Sequence, residues 1–402
     1  MHDGKATWRR ILAFSFIAQV LSIMGFSFAL PFMPFFIREL GITDPSDQVW
    51  WAGVSMAASG ITLAIFAPLW GILADRHGRK VMVLRSMAGG TAVLILMSLS
   101  RNITDLVICR LLQGVFTGTI AASIALVASV TPEKKSGMAL GIMQAAVFMG
   151  TAIGPLTGGL VADAYGYRTA FRIGAVIILL GAVLVYYGTD EEFCPNEKKD
   201  ADIKINFLNL IKSKEFFSAM IILLAVRFAN TIVNPSFPLI ISNILPSGDS
   251  LNRTAGTIMG ISGIAGALSA VLLGYVGDRA GHFRIITLCC IGTAVTASLH
   301  YAAYTIPFLT AVHVLFGFTI AGIMPAANSL IKGTVGTGDV GKAFGFASAI
   351  SMLGLALGPL AGGIIAQRFG VRAPFLTAAV CQVSVVVIMI KLRLRIRSVN
   401  HY

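Results

Sequence analysis

Charged residues are scarce in this chain, and their scarcity limits what the protein can be. Only 12% of its 402 residues are Asp, Glu, Lys or Arg, whereas 56% are hydrophobic. An ordinary soluble domain carries about 25% charged residues, so this composition excludes a soluble fold. The apolar residues form long continuous runs rather than short alternating strands, which excludes a membrane β-barrel. The sequence therefore predicts an all-α membrane protein that crosses the bilayer many times.

Signatures of catalysis and of bound cofactors are also missing. The chain has five cysteines, and none has metal-ligand spacing or suggests a disulfide framework. No GxxxxGK[ST] loop is present, so ATP is not expected to drive the protein directly. No zinc signature, hydrolase elbow or nucleophile–base pair is visible. We therefore expect neither an enzyme nor a protein that holds a metal or a cofactor.

Basic residues outnumber acidic ones, 31 to 18, which gives a net charge of +13. No basic helix with interleaved aromatic residues stands out, so nucleic acid is not an expected partner. The excess is instead typical of a membrane protein whose basic residues collect on the cytoplasmic side.

Twelve apolar runs are long enough to cross a bilayer, which takes about 20 residues each. They are predicted at 11–36, 50–73, 81–99, 104–130, 137–162, 169–188, 216–242, 254–277, 284–304, 306–332, 341–366 and 373–392. A long polar stretch follows the sixth run. It divides the chain into a six-helix bundle over 1–188, a cytoplasmic linker over 189–215 and a second six-helix bundle over 216–402.

Lys and Arg are distributed unequally between alternate connections. With both termini inside, the outer side holds only Arg38, Arg101, Arg168, Arg172, Arg253, Arg368 and Arg372. Nearly all the others then lie inside, and two, Arg110 and Arg227, fall within spans. Because basic connections stay in the cytoplasm, we expect a multi-pass protein of the bacterial plasma membrane with both termini cytoplasmic.

The two halves of the chain carry the same motifs. GILADRHGRK, which starts at Gly71, returns in weaker form as GYVGDRAGHFR from Gly274. LPFMPFF returns as NPSFPLI, and GTAIGPLTGG from Gly150 returns as GLALGPLAGG from Gly354. Each copy follows about half a chain length later. Duplicated halves in a membrane protein indicate a transporter with a central pathway between them.

These motifs resemble those of a known family. GILADRHGRKVMVL resembles the cytoplasmic signature between spans 2 and 3 of the major facilitator superfamily, and CRLLQGVFTG resembles its span-4 Arg-plus-Gly motif. GTAIGPLTGG resembles the span-5 motif of its drug:proton antiporters. With LPFMPFFIRELG and TPEKKSGMALG, the pattern is most similar to twelve-span, MdtG-like multidrug efflux proteins. The resemblance implies the major facilitator fold of two pseudo-symmetric six-helix bundles.

The resemblance also implies an inner gate in the charged loop after span 2. The gate residues would be Gly71, Asp75, Arg76, Gly78, Arg79, Asp278 and Arg279. Asp75 would lie near the start of span 11, around residues 339–344, where a helix N-terminus favours a carboxylate. The alternative is that the positive charge of the loop only fixes the orientation of the chain.

A second implied element is a hinge or seal in span 5 that sets the direction of exchange. Its residues would be Gly150, Gly154, Pro155, Gly158 and Gly159. Small residues at this spacing let helices pack closely, and a proline bends a helix. The alternative is that the stretch serves close packing alone.

Arg110 lies inside span 4, where a charge is costly enough to indicate function. It shares a helix face with Gln113 and Thr117. The resemblance ties this arginine to proton coupling. The equivalent position in the second half holds His313, whose imidazole titrates near neutral pH and suits a proton carrier. An arginine that snorkels to the interface and a merely packed histidine are the alternatives.

Polar residues on other spans are candidates for a substrate cavity. Arg227, Asn230 and Asn234 share one face of span 7 and should look into the bundle, unless Arg227 lies at inner head-group depth. The full candidate set is Gln19, Gln113, Gln144, Phe148, Arg227, Asn230, Asn234 and Asn328. No Asp or Glu lies well inside any span. The proton carrier is therefore open among Asp75, Asp163, His300 and His313.

The expected function is secondary active transport, with export of lipophilic or amphiphilic compounds in exchange for protons by alternating access. The proton gradient would be the energy source, and the partners would be a small-molecule substrate, protons and the bilayer; a monomer suffices. One alternative is an exporter or importer of a single metabolite, for which Arg110 and Arg227 leave room for anionic substrates. Another is a sensor or assembly partner that does not transport, which would need a signalling domain or longer tails.

Overall fold

The polypeptide folds into α-helices. The structure, a computed structural model, describes residues 4–132, 135–191, 214–245, 250–323 and 340–399, and these ranges contain no strand. The first helices are α1 (Gly4–Ala29), a 3-10 turn (Leu30–Phe32), α2 (Met33–Glu39), α3 (Pro45–His77), α4 (Arg79–Leu99), α5 (Ile103–Phe116), α6 (Thr119–Val130) and α7 (Ser136–Gly188). They are followed by α8 (Lys214–Thr231), α9 (Phe237–Ile244), α10 (Leu251–Ala280), α11 (His282–Tyr301), α12 (Ile306–Ala321), α13 (Val340–Phe369) and α14 (Ala373–Val399).

Most of these helices are suited to crossing a bilayer. Over the described residues nine helical stretches are long and apolar enough, of which one joins α1 to α2 and another joins α5 to α6; Met220–Thr231 and Ile306–Ala321 are shorter apolar helices. The all-α class predicted from composition is confirmed. Each predicted span corresponds to one helix, to a pair of helices or to part of α7.

Glycine and proline interrupt spans that are continuous in hydrophobicity. The fourth predicted span is split into α5 and α6 at Gly118, whose φ is 124°. The fifth and sixth run together as α7 through a kink at Gly166, whose φ is 79°. Only glycine adopts such φ values readily. The seventh is split by a turn that contains Pro235, and Pro238 lies in the first turn of the following helix, where its missing N–H is tolerated.

The chain divides into two compact units. Unit 1 comprises Met1–Ile42, Ala58–Ile203 and Gly248–Gly263, and unit 2 comprises Thr43–Ala57, Lys204–Ser247 and Ile264–Tyr402. The start of α3 thus groups with unit 2, and the start of α10 with unit 1. Most of the predicted linker lies outside the described residues, as does the second part of predicted span 10. The predicted bundle boundaries at 188 and 216 stay a prediction.

In unit 1, α1 packs against α7 through glycines. A Cβ atom placed on Gly150 would lie 2.7 Å from the Cβ of Ile23, and one on Gly158 would overlap the carbonyl oxygen of Phe28. Small residues permit this approach of one helix backbone to another, and larger side chains would block it.

Unit 2 repeats these contacts at equivalent positions. A Cβ on Gly354 would lie 2.6 Å from the Cβ of Arg227, and one on Gly362 would overlap the carbonyl oxygen of Ile232. Arg227 and Ile232 hold the repeat positions of the two α1 residues named above. The duplication seen in the sequence therefore extends to the packing, since equivalent pairs of helices make the same backbone contacts in the two units.

Two glycine-to-alanine variants test this packing. A Cβ on Gly25 would lie 2.5 Å from Cγ1 of Ile178 and 2.6 Å from the oxygen of Gly174, whereas Gly141 has nothing within 4 Å. We expect Gly25→Ala to lower the thermal unfolding midpoint of the purified protein in detergent. Gly141→Ala should leave it unchanged or raise it, since alanine favours a helix over glycine by about 0.5–1 kcal/mol. Equal shifts for the two variants would contradict the packing described.

Candidate functional site

The predicted hinge in α7 is tightly packed on more than one side. A Cβ on Gly154 would lie 2.7 Å from the Cβ of Ser27 in α1, and one on Gly159 would overlap the carbonyl oxygen of Asn252 in α10. Pro155 lies inside the helix, where it removes one backbone donor. The segment therefore combines close contacts with the loss of one backbone hydrogen bond of the helix. Its role as a hinge stays a prediction.

The loop between α3 and α4 is anchored by Glu191, which sequence analysis did not single out. Its carboxylate accepts hydrogen bonds from the backbone N–H of Arg79 at 2.9 Å and of Lys80 at 2.7 Å. A carboxylate at this end of a helix is favoured by the dipole and by the free N–H groups. Lys80 Nζ also donates to the oxygens of Tyr186 at 2.8 Å and Thr189 at 2.5 Å. The signal in the sequence was an acid directly after the sixth span.

The structure describes the other predicted gate residues only in part. Gly78, with φ of 95°, begins α4, and Gly281, with φ of 92°, begins α11 in the second copy. Arg76 and Arg279 are exposed, and no atom lies within 4 Å of a Cβ placed on Gly71. Outside the described part of the chain lie the side chains of Asp75, Asp278 and residues 339–344. The predicted contact of Asp75 with the start of span 11 thus stays a prediction.

Arg110 is buried in unit 1, with 5% of its surface exposed. It donates a hydrogen bond from Nη1 to Oε1 of Gln113, and Thr117 Oγ1 donates to the Gln113 carbonyl at 2.6 Å. The shared face predicted for these three residues is therefore a hydrogen-bonded row at the end of α5. Burial of the guanidinium speaks against an arginine that snorkels to the membrane surface.

A buried polar stripe lies on α1, also in unit 1. Ser15, Gln19 and Ser22 are each at most 2% exposed, and their side-chain N and O atoms have no hydrogen-bond partner among the described residues. Buried polar groups in proteins are nearly always hydrogen-bonded. The stripe, which includes the predicted cavity residue Gln19, is thus able to bind a polar ligand group or water.

The structure joins His313 to a second histidine. His300 Nε2 lies 3.1 Å from His313 Nδ1, and His300 Nδ1 lies 2.7 Å from the Thr296 carbonyl oxygen. Phe237 stacks on His313 with ring centroids 3.7 Å apart, and Phe375 stacks on His300 at 4.5 Å. Two of the four residues proposed as proton carriers therefore form one buried pair in unit 2.

The predicted polar face of span 7 is divided between two environments. Asn234 lies exposed in the turn after α8, while Arg227 and Asn230 are half-buried. Gln382 of α14 is fully buried and donates from Nε2 to Oδ1 of Asn230 at 3.0 Å. Sequence analysis did not select Gln382, although a lone carboxamide in an otherwise apolar span is a visible signal.

The remaining candidates lie in different places. Gln144 is exposed, Phe148 is half-buried, and Asn328 lies outside the residues that the structure describes. Asp163 accepts hydrogen bonds from the backbone N–H of Asn252 at 3.1 Å and of Arg253 at 2.7 Å, and so caps α10. A carboxylate with this role is already occupied by two donors, in addition to the Asn252 side chain at 2.7 Å.

Long apolar helices that carry buried polar groups in each of two units are typical of a polytopic membrane protein. The model of the Major Facilitator Superfamily matches residues 15–246 and 219–401. The chain therefore belongs to the major facilitator superfamily. It is a secondary transporter and a multi-pass integral membrane protein, not an enzyme.

Similar proteins cover nearly the whole chain. It is 35% identical to the multidrug resistance protein MdtG of Proteus mirabilis over 381 residues, which is 93% of this chain and 94% of the relative. It is 32% identical to the protein of the same name from Escherichia coli O17:K52:H18 over 380 residues, covering 94% and 93%.

Solved structures share the fold at lower identity. The nucleoside transporter NupG matches with a TM-score of 0.81 at 14% identity, covering 95% of this chain and 99% of that one. The human organic anion transporter MFSD10 matches with a TM-score of 0.71 at 16% identity, with the same coverage. These matches confirm the fold predicted from the duplicated motifs.

The anchor at Glu191 predicts a loss of stability when its charge is removed. We expect Glu191→Gln to lower the stability of the purified protein by about 0.5–2 kcal/mol, the usual cost of a lost helix cap. Thermal unfolding in detergent measures this. The matched control is Asp190→Asn, because its contact with Arg10 spans 3.7 Å between largely exposed side chains and exposed ion pairs contribute little. A loss as large in the control would refute a specific role for Glu191.

The close contact at Gly154 predicts that a large side chain there stops transport. In Gly154→Leu the added atoms would have to displace Ser27 or the backbone of α1, so α1 and α7 cannot keep their spacing. We expect the variant to reach the membrane in normal amounts, measured by immunoblot, and to lose efflux. Undiminished efflux from this variant would remove the segment from the mechanism.

Proposed function

We propose that this transporter exports lipophilic or amphiphilic compounds in exchange for protons. The observation that carries the proposal is the identity of 35% over 93% of the chain to a protein named for multidrug resistance. The direction of transport and the breadth of substrates follow from that name. The proton as coupling ion rests on the span-5 motif from Gly150 and on the polar residues described above.

In this proposal the coupling residues are Arg110 and His313. The Thr296 carbonyl only accepts, so Nδ1 of His300 carries the hydrogen in that contact. In the neutral pair, Nε2 of His300 then accepts from Nδ1–H of His313. Adding one proton to His313 leaves both hydrogen bonds in place. The pair can therefore gain and lose a proton while these two hydrogen bonds are kept.

Alternating access would depend on the hinge and the gate. The hinge residues Gly150, Gly154, Pro155, Gly158 and Gly159 would let α7 change its packing, and the loop from Gly71 to Lys80 would act as an inner latch. Both termini would be cytoplasmic, in the bacterial plasma membrane, and a monomer would suffice. Inward proton movement would supply the work, about 2.3 kcal/mol per charge for each 100 mV of membrane potential.

A narrow transporter of one metabolite is the second candidate. The buried Nε of Arg227 has no hydrogen-bond partner among the described residues, and an unpaired guanidinium suits a defined ionic contact more than a broad set of lipophilic compounds. A drug-susceptibility panel on a deletion strain separates the two candidates. Loss of a broad exporter changes resistance to several unrelated compounds, whereas loss of a narrow transporter changes resistance to one compound at most.

Everted membrane vesicles test the proposal. Vesicles that contain the protein should accumulate a lipophilic dye when a proton gradient is present and release it when a protonophore removes the gradient. His313→Asn should abolish accumulation against a gradient while dye still equilibrates faster than in vesicles without the protein. Accumulation that persists without a proton gradient would rule out proton coupling, and accumulation that is unchanged in the variant would remove His313 from it.

A further inference from the structure

The duplicated halves provide an internal control for three polar residues of unit 2. Arg227 and Asn230 lie on α8, and Gln382 lies on α14. Their counterparts at the repeat positions of the first half are Ile23, Phe26 and Ile178. The apolar set packs in the same arrangement, since Gly150 lies against Ile23 as Gly354 lies against Arg227. The fold therefore does not require polar residues here, and their presence calls for another reason.

The three residues leave one hydrogen-bond acceptor and one hydrogen-bond donor unused. Gln382 is fully buried, and its Nε2 donates to Asn230 Oδ1 at 3.0 Å. Its Oε1 has no partner among the described residues, and neither has the buried Nε of Arg227. Arg227 lies one helical turn before Asn230 on the same face. One donor on Arg227 and one acceptor on Gln382 are thus unpaired, and Asn230 connects the two residues. A buried polar atom without a partner is costly.

The backbone behind this cluster is fixed. Gly354 of α13 lies directly against the Cβ of Arg227, and Thr231 Oγ1 donates to the Gly354 carbonyl oxygen at 3.1 Å. The base of the arginine side chain therefore cannot withdraw toward α13. The Cβ of Arg227 is therefore fixed on α8, and a binding site needs such a rigid base.

The charge of this cluster has one sign. No carboxylate of the described residues lies within ion-pair distance of Arg227; the ion pair found among the described residues joins Arg10 to Asp190 in unit 1. An arginine keeps its charge inside proteins, and burial of an unpaired charge is unfavourable. Its planar fork matches the oxygens of a carboxylate, sulfonate or phosphate group. The missing partner is therefore an oxyanion.

We propose that Arg227, Asn230 and Gln382 form an anion subsite, and that the transported compounds include organic anions with an apolar body. Arg227 donates to the oxyanion of the substrate, and Gln382 Oε1 accepts from a neighbouring O–H or N–H group. Asn230 holds the Gln382 carboxamide in the orientation that leaves this oxygen available. The proposal rests on the proposed function and narrows its substrate class.

Two probes with one ring system test the subsite. Anilinonaphthalene sulfonate is an anionic amphiphile with an N–H group, and phenylnaphthylamine is its neutral analogue without the sulfonate. Equilibrium dialysis against the full chain in lipid nanodiscs, corrected with empty nanodiscs, gives both affinities. We expect Arg227→Gln to weaken binding of the sulfonate about tenfold or more and to leave the neutral probe unchanged. Arg227→Lys should retain part of the preference for the anion.

Further variants separate binding from folding. Gln382→Leu should weaken binding of both probes several-fold, because both carry the N–H group, and should keep the preference for the anion. The matched control is Arg101→Gln, which removes an exposed arginine and should change neither affinity. Size-exclusion profiles and unfolding midpoints are measured for every variant. If Arg227→Gln does not fold, the comparison of Arg227→Lys and Gln382→Leu with wild type decides the question.

The subsite is refuted if the folded Arg227 variants bind both probes as wild type does. It is also refuted if the affinities of the Arg227 variants for the two probes fall together, because that pattern indicates a structural role. Failure of the proposed function looks different: vesicle transport would be insensitive to the proton gradient while the anion preference still depended on Arg227. If transport is driven by the proton gradient but shows no preference for anions that depends on Arg227, the proposed function is supported and the subsite is refuted.

Discussion

Contact between helix backbones at glycine is the constraint on which the rest of this structure depends. In lipid, backbone groups are satisfied within each helix, so helices associate through close packing. Gly158 against Phe28 and Gly362 against Ile232 make this contact in the same way in the two units. Because the main chains are held so closely, polar side chains occupy only the room that the glycine contacts leave. The two units therefore share the same backbone packing and differ in their polar side chains.

Most of the fold was predictable because hydrophobic runs and glycine motifs are local signals. The helix class and the span positions followed from runs about 20 residues long. The break at Gly118 inside predicted span 4 was missed, since a single glycine with positive φ does not interrupt the hydrophobic pattern. The connection predicted between spans 5 and 6 is instead a kink at Gly166 within α7. Continuity of hydrophobicity predicts that a segment crosses the membrane, and it carries little information about whether the segment is one helix or two.

Site residues were predictable where a charged residue lies inside an apolar run. They were less predictable where two hydrogen-bonded residues are far apart in sequence. Arg110 and Arg227 stood out for that reason. Glu191 and Gln382 did not, because their partners Lys80 and Asn230 are far away in sequence. The first half buries a polar stripe on α1, and the second buries a histidine pair. The two units thus share a backbone arrangement but differ in their buried polar side chains. The sequence repeat alone does not show where these side chains lie in space.

The sign of the buried charge constrains the proposed coupling of transport to protons. An acidic cavity couples exchange directly, because proton and cationic substrate compete for one carboxylate. Arg227 cannot act in this way, and a proton at the His300–His313 pair adds positive charge to the same unit, which favours an anion instead of displacing it. Exchange of an organic anion for a proton therefore requires that the two ligands stabilise opposite-facing states of the transporter. The phenylalanine rings stacked on both histidines cover the faces of the imidazoles, so Arg227 and the pair would act on each other through a change of conformation.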